Sequence, residues 1–345
     1  MTGAGTGPIA RAGRSSAGTA VLAAAVLALP LTGNSYHLHM ACMIGINVIS
    51  ATGLNLLTGY AGMVSLGHAA FMGVGAYGAA WFGAHLGLPF YLCLPLGGLL
   101  AAAVGMIAGL PSLRLKGLYL AMATLAAQFI LIFVFNEWEP VTGGRGGTPV
   151  APARIGGLTL TTERELYLLI APLTVGALLV ARNLFRTRVG RAFIALRDRE
   201  IAASVLGVDP RRYKLIAFGV SSFYAGVAGG LMAYFFRVVT PGQFGFDLSL
   251  FFLAAIVAGG MGTVTGGVLG ALFITLTPEL FAWVTGVFGP RVAGLLSPAR
   301  EVLFGLLIVG FLTFEPQGMA GIGRRMRNLL SRMANTKHTG GGVAG

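Results

Sequence analysis

The sequence predicts an all-α polytopic membrane protein of about ten transmembrane segments, paired as an inverted 5+5 repeat with interrupted helices. Three observations predict it. Of 345 residues, 55% are hydrophobic and only 10% charged, where a globular domain carries about 25% charged residues. Apolar runs recur along the chain between short polar loops, and the mean hydropathy is +0.80. The net charge of +13 is concentrated, with nine of the 24 basic residues between Arg182 and Lys214. In a soluble domain that excess would suggest nucleic acid; here it belongs to loops on one side of a membrane, so nucleic-acid binding is discounted.

The chain opens on a Gly-rich tail, 1–16, with Arg11 and Arg14 ahead of an apolar stretch at 17–29. That stretch reads as an uncleaved first span; a signal peptide is the alternative, although no clear small-x-small cleavage site follows. Further apolar runs fall near 38–58, 63–84, 89–111, 117–136, 164–181, 215–236, 249–261, 265–285 and 300–314, followed by a basic, Gly-rich tail at 321–345. The transmembrane domain is therefore 17–320. Alternating the spans from a cytoplasmic N-terminus puts 18 basic residues inside and 6 outside, a threefold bias in the expected direction.

Five spans per half, an odd number, insert the second half upside down. On that count the third span, interrupted by Gly59, Gly62, Gly67, Gly73, Gly75 and Gly78, corresponds to the eighth, beside the run Gly259 to Gly267. The 249–261 run is short for a full crossing, so 249–285 is either two spans or a re-entrant element. The glycines either expose backbone along a pathway or let helices pack closely.

The longest polar run, 182–214, cannot sit in hydrocarbon, where an Arg or Lys at a helix centre costs roughly 2.5–3.5 kcal/mol. It faces the cytoplasm. Asp198 is placed to cap a helix, Glu200 then falls in the first turn, and Gly207 follows the apolar pair Val205 and Leu206, which predicts one short helix at about 199–206. Asp209 and Pro210 repeat the start signal and open the next span. A helix held between two membrane helices is a handle that a cytoplasmic partner can push; the plainer reading is a basic loop that only sets topology.

Few residues suggest chemistry. Cys42 and Cys93 lie inside apolar runs, where they read as packing residues. Ser65 and His68 offer a hydroxyl and an imidazole to a small polar solute, although the plainer and preferred reading of His68 is a core histidine bonded to a neighbouring carbonyl. A phosphate-cradling loop needs Gly-Lys-Ser/Thr, yet Lys116, Lys214 and Lys337 follow Leu, Tyr and Thr, so the chain does not hydrolyse ATP. Asp247, Glu279, Glu301 and Glu315 fall near span ends, unlike the deep acids of ion-coupled carriers.

Several strings carry a resemblance. The segment Gly59-Tyr60-Ala61-Gly62-Met63-Val64-Ser65-Leu66-Gly67-His68, continuing to Tyr77, and the loop Arg191 through Gly207 to Lys214 are similar to the LivM-like permease subunits of branched-chain amino-acid ABC importers. So are Arg114 to Ala121, Thr142 to Gly147, Gly259 to Thr263 and Phe314 to Met319, which together span about residues 40–320. At Arg145-Gly146 the chain departs from that pattern, which has a small polar residue and then an acid.

The resemblance implies that the loop docks into a groove of a separate ATPase, through Arg191, Arg197, Asp198, Glu200, Ala203 and Gly207. It implies a translocation pathway along Gly59, Gly62, Ser65, Gly67, His68, Gly75, Gly260, Gly262 and Thr263. It also implies ATP-binding subunits that carry ATP and magnesium, a second permease subunit, a substrate-binding protein and surrounding membrane lipid, with no cofactor in this chain. Sugar importers share the general plan. The rival from another class is a self-sufficient secondary carrier or channel for a small neutral solute.

Overall fold

A computed structural model describes residues 34–155, 158–288 and 318–321. The runs at 17–29 and 300–314, both tails, Glu301 and Glu315 lie outside the described residues. Among the described residues the helices of more than ten residues are α1 (Ser35–Asn55), α2 (His68–Leu86), α3 (Phe90–Ala108), α4 (Leu118–Glu137), α5 (Glu163–Leu184), α6 (Arg188–Val205), α7 (Pro210–Phe236), α8 (Phe246–Gly259) and α9 (Val264–Phe288).

Among the described residues, six segments are long and apolar enough to cross a membrane: 35–60, 90–108, 118–137, 163–184, 210–236 and 241–259, with Val264–Glu279 a shorter apolar helix. The chain is a multi-pass membrane protein. Its lipid-facing surface is visible in the exposed large apolar residues Ile107, Leu118, Tyr119, Ile130, Phe133 and Val180.

The helices divide into an inner and an outer set. Within their apolar windows, 78% of the α1 segment and 67% of α7 are buried, against 28% of α4 and 33% of α5. The centre is thus α1 and α7, with α2 and α3 packed on α7. Small residues make that approach possible: Gly75 of α2 lies against the Gly226 backbone of α7, and Gly97 of α3 lies against Gly75, so a β-carbon at any of them would collide. Gly73 and Gly78 sit in the same unbroken helix.

The sequence expectation of an interruption through the third span is corrected in this respect. The break is confined to 61–67, ahead of α2, and is preceded by a π-turn at Leu56–Tyr60 that ends α1.

The polar run is also rearranged. The short helix expected at 199–206 is present as the second of two helical stretches in α6, which begins at Arg188 and is broken at Arg199, whose backbone is extended (φ −155°, ψ 92°); the added first stretch and the missing Asp198 cap are what differ. Asp198 caps nothing; its carboxylate accepts a hydrogen bond from Arg197 Nε at 3.1 Å. The start signal for α7 holds, with Asp209 Oδ1 accepting from Arg211 N at 2.9 Å and Pro210 at the first helical position.

The two Gly-rich helices of 249–285 are distinct, α8 and α9, joined by a four-residue turn at 260–263. Against an all-helical expectation, four two-residue strands form two antiparallel pairs: β1 (Thr148–Pro149) with β4 (Val238–Val239), and β2 (Arg154–Ile155) with β3 (Leu158–Thr159). They lie at the end of the molecule opposite α6. The departing Arg145 sits there in a 3-10 turn (Gly144–Gly146), exposed and 3.9 Å from Glu137.

Candidate functional site

The residues expected along a pathway fall into two layers, and the first joins them to the polar run. At the end of α1 and at the turn between α8 and α9, the two glycine breaks meet. Asn55 bridges them: its Nδ2 donates to Thr263 O at 2.7 Å, and its Oδ1 accepts from Gly262 N at 2.9 Å. A β-carbon on Gly59 would collide with Gly262 N, and Gly262 adopts a left-handed backbone (φ +74°) that strains any other residue. Gly260 adjoins Gly318, which brings the segment following the undescribed span onto the same junction. Thr263 caps α9, its Oγ1 accepting from Gly266 N at 3.0 Å.

Into this junction reaches one residue of α6. Arg197 Nη1 donates to Gly59 O at 2.8 Å, across 138 positions of sequence. Its aliphatic stem lies on Gly62, where an added β-carbon would be 2.7 Å from Arg197 Cγ. Arg197 and the glycine junction were expected as members of two different sets; the fold makes them one site.

The second layer lies deeper between the helices. His68 is fully buried, and its Nε2 donates to Ser50 O at 3.0 Å. Because a carbonyl only accepts, Nε2 carries the proton. This is the core-histidine reading. Ser65 is buried and accepts from Gly67 N at 3.4 Å, and Leu66 N donates to Thr124 Oγ1 at 2.9 Å.

Gln128, midway along α4, organises this layer. Its Oε1 accepts from Ala70 N at 3.0 Å and from Ser249 Oγ at 3.2 Å, while its Nε2 donates to Phe244 O at 2.7 Å. Ser249 Oγ in turn accepts from Ala69 N at 2.9 Å. The first turn of α2, whose amides have no partner within the helix, is thereby satisfied inside the bundle by α4 and α8. Gly75 belongs to neither layer and packs α2 on α7.

Sequence reasoning passed over Asn55, Thr124, Gln128 and Ser249. The available signal was an amide or hydroxyl inside an apolar run, which needs a partner wherever water is absent.

Beyond the second layer, toward the end opposite α6, a cavity of about 340 Å³ is lined by Met40, Met43, Asn47, Met72, Phe252 and Thr275 among others. Asn47 Nδ2 donates to Thr275 Oγ1 at 2.9 Å on its wall. Among the described residues, no group of three or more His, Cys, Asp or Glu is arranged to hold a metal ion.

The part of α6 beyond its kink has two faces. Ala203 is buried, and Glu200 holds two cations at 2.7 Å, Lys116 and Lys214. The Lys214 Nζ, nearly buried, also donates to Ser112 O at 3.3 Å. Burial pushes the Glu200 carboxyl up, but hydrogen bonds and charge from Lys116 and Lys214 outweigh it and leave its pKa below the ordinary carboxylate value.

Away from this anchor, Ile201, Val205 and Leu206 are 79–84% exposed, an apolar face displayed in a charged loop. Gly207 ends the turn in a left-handed conformation (φ +85°). Arg191 lies earlier in α6, its Nη1 donating to Arg186 O at 3.0 Å.

The chain is similar to several proteins of known role. It is 38% identical over 318 residues to the high-affinity branched-chain amino acid transport system permease protein LivM of Escherichia coli, covering 85% of this chain and 72% of that one. Identity to LivM of Salmonella typhimurium is 34% over 333 residues, covering 89% and 75%. A probable branched-chain amino acid transport permease protein LivH of Methanocaldococcus jannaschii is 26% identical over 297 residues, covering 82% and 91%. No solved structure matches. The model of branched-chain amino acid transport system permease components matches residues 36–312, most of the chain and all but a few of its described residues, so this protein belongs to that family.

Proposed function

We propose that this chain is the permease through which branched-chain or other hydrophobic amino acids enter the cell, driven by ATP hydrolysed in separate subunits. The observation that carries the reading is the tip of α6, where Ile201, Val205 and Leu206 are displayed to solvent on a base anchored by Glu200, Lys116 and Lys214. An ATPase subunit with an apolar groove covers this tip. Arg191, Arg197, Asp198, Glu200, Ala203 and Gly207 belong to the docking segment, with Ala203 and Glu200 supporting it from behind.

In this reading α6 lies in the cytoplasm with both termini, and 17–320 crosses the membrane ten times. The inverted repeat has support in a likeness between halves: α1 leads through non-helical 61–67 into α2, and α7 leads through 237–245 into α8. The pathway runs past the Gly59–Gly262 junction, through Gly62, Ser65, Gly67, His68, Gly260 and Thr263, toward the Met-lined cavity. Flexible thioethers suit aliphatic side chains of different shape, and the Asn47–Thr275 pair gives polar contact for the charged ends of the solute. A second permease, a substrate-binding protein and lipid complete the assembly, and ATP with magnesium stays on the ATPase.

The test is uptake of leucine into proteoliposomes holding the full complex. Replacing Ile201 and Leu206 with Glu is expected to abolish co-purification of the ATPase and ATP-dependent uptake together. Uptake by this chain alone, without nucleotide, would establish the rival secondary carrier.

A further inference from the structure

Arg197 of α6 reaches the meeting point of the two broken helices. It is bonded to Gly59 O at 2.8 Å, and a β-carbon on Gly262 would stand 3.0 Å from its Nη1. No other cation shares that carbonyl among the described hydrogen bonds. The guanidinium is held at a second point by Asp198 through Nε, so its direction is set by α6 itself and not by a free side chain. Arg197 lies two residues before the kink at Arg199, beyond which the exposed tip begins.

We propose that Arg197 is a positioning residue that latches the glycine junction shut and releases it when α6 moves. Resting on the reading of α6 as the ATPase-docking segment, the latch assigns the route by which movement there reaches the pathway. The geometry allows two discrete states. With α6 seated, the planar donor fork occupies the Gly59 carbonyl and fills the space beside Gly262, and the end of α1 is pinned to the α8–α9 turn. A shift of α6 by a little more than the length of a hydrogen bond withdraws the fork from the Gly59 carbonyl and from the space beside Gly262, while the two bonds of Asn55 across the breaks remain.

The carbonyl that Arg197 satisfies has a particular reason to need it. Gly59 lies in the π-turn, where the regular helical ladder ends, and its oxygen accepts from a side chain on another element. The contact therefore depends on where α6 sits relative to the end of α1. Glycine at 59, 62 and 262 is what lets an arginine enter here.

The experiment uses the complete complex in proteoliposomes with loaded binding protein, and reads leucine transported per ATP hydrolysed. Arg197→Ala is expected to lower that ratio by about tenfold, within the usual range of a coupling between two sites. Arg197→Lys, which keeps one donor and the charge, is expected to recover part of it. An unchanged ratio in Arg197→Ala overturns the latch. Loss of assembly in both variants, or a proportional fall of transport and hydrolysis with the ratio intact, also overturns it, because either outcome marks a purely structural contact. The importer reading fails separately, if the unsubstituted complex moves leucine without ATP.

Discussion

Glu200 shows how one carboxylate holds a loop that charge alone would leave open. Its side chain is 24% exposed and pairs with Lys214, 9% exposed, and Lys116, 66% exposed. The Lys214 pair carries more energy, since the Lys116 pair is screened by water. Glu200→Gln keeps an amide oxygen as acceptor but takes the countercharge from the Lys214 ammonium, and is expected to destabilise the loop by roughly 1–3 kcal/mol, read as a lower thermal midpoint in detergent. The pH dependence has a definite sign. A carboxyl held below its ordinary value stabilises the fold above about pH 4.5 and loses that contribution as pH falls through its folded value. Wild type should thus lose stability on acidification below that point by more than Glu200→Gln does. At the junction, Gly262→Ala places a β-carbon in a left-handed backbone against Gly59 O, at a cost of about 1–2 kcal/mol from conformation alone. Reduced leucine uptake with the ATPase still bound is the expected result.

At the scale of the element, α2 and α6 teach opposite lessons. The start of α2 is buried, so its free amides must be met by side chains from other helices, and Gln128 and Ser249 meet them. Gln128→Leu, nearly the same size, removes three hydrogen bonds and is expected to cost about 2–5 kcal/mol, with protein lost from the membrane fraction or a clearly lower melting temperature. The tip of α6 is free of such ties. Ile201→Glu with Leu206→Glu should leave the melting temperature within about one or two degrees, because exposed positions away from packing rarely change stability by more than about 0.5 kcal/mol. A large drop would show that the tip is covered by this chain and not by a partner.

For the whole molecule the decisive property is sidedness. The basic residues of 182–214 and the pair Arg114 and Lys116 gather at the end that carries α6, while His39, Glu163, Arg154 and Arg237 lie at the other. Cys42 and Cys93 are buried and free, so an introduced Ile201→Cys provides an exposed thiol with little background. With the chain expressed without the ATPase subunit that would cover the tip, a membrane-impermeant maleimide should label it in inside-out vesicles and leave it untouched in intact cells. Labelling from outside would invert the orientation and remove the ATPase from reach of α6.

How much of this was legible depends on what each residue needed to know. Asp209 and Pro210 act on their own helix within two positions, so the start of α7 could be read directly. The same local logic failed one helix earlier: Asp198 had all the marks of a cap, but the guanidinium of Arg197, a stronger partner next door, took its carboxylate. Glycine at 59, 62, 67, 73, 75 and 78 looked uniform in sequence, yet Gly59 and Gly62 border a break while Gly73, Gly75 and Gly78 lie within an intact helix, because a missing side chain serves both uses. What the amino-acid order determined by itself was the solvent of each segment, since transfer of charge and apolar surface between water and lipid is a local and additive cost. What only the tertiary structure decided was which carbonyl Arg197 would reach, and which amides Gln128 would satisfy, since those bonds join positions 58 to 138 residues apart and exist only once the helices have packed.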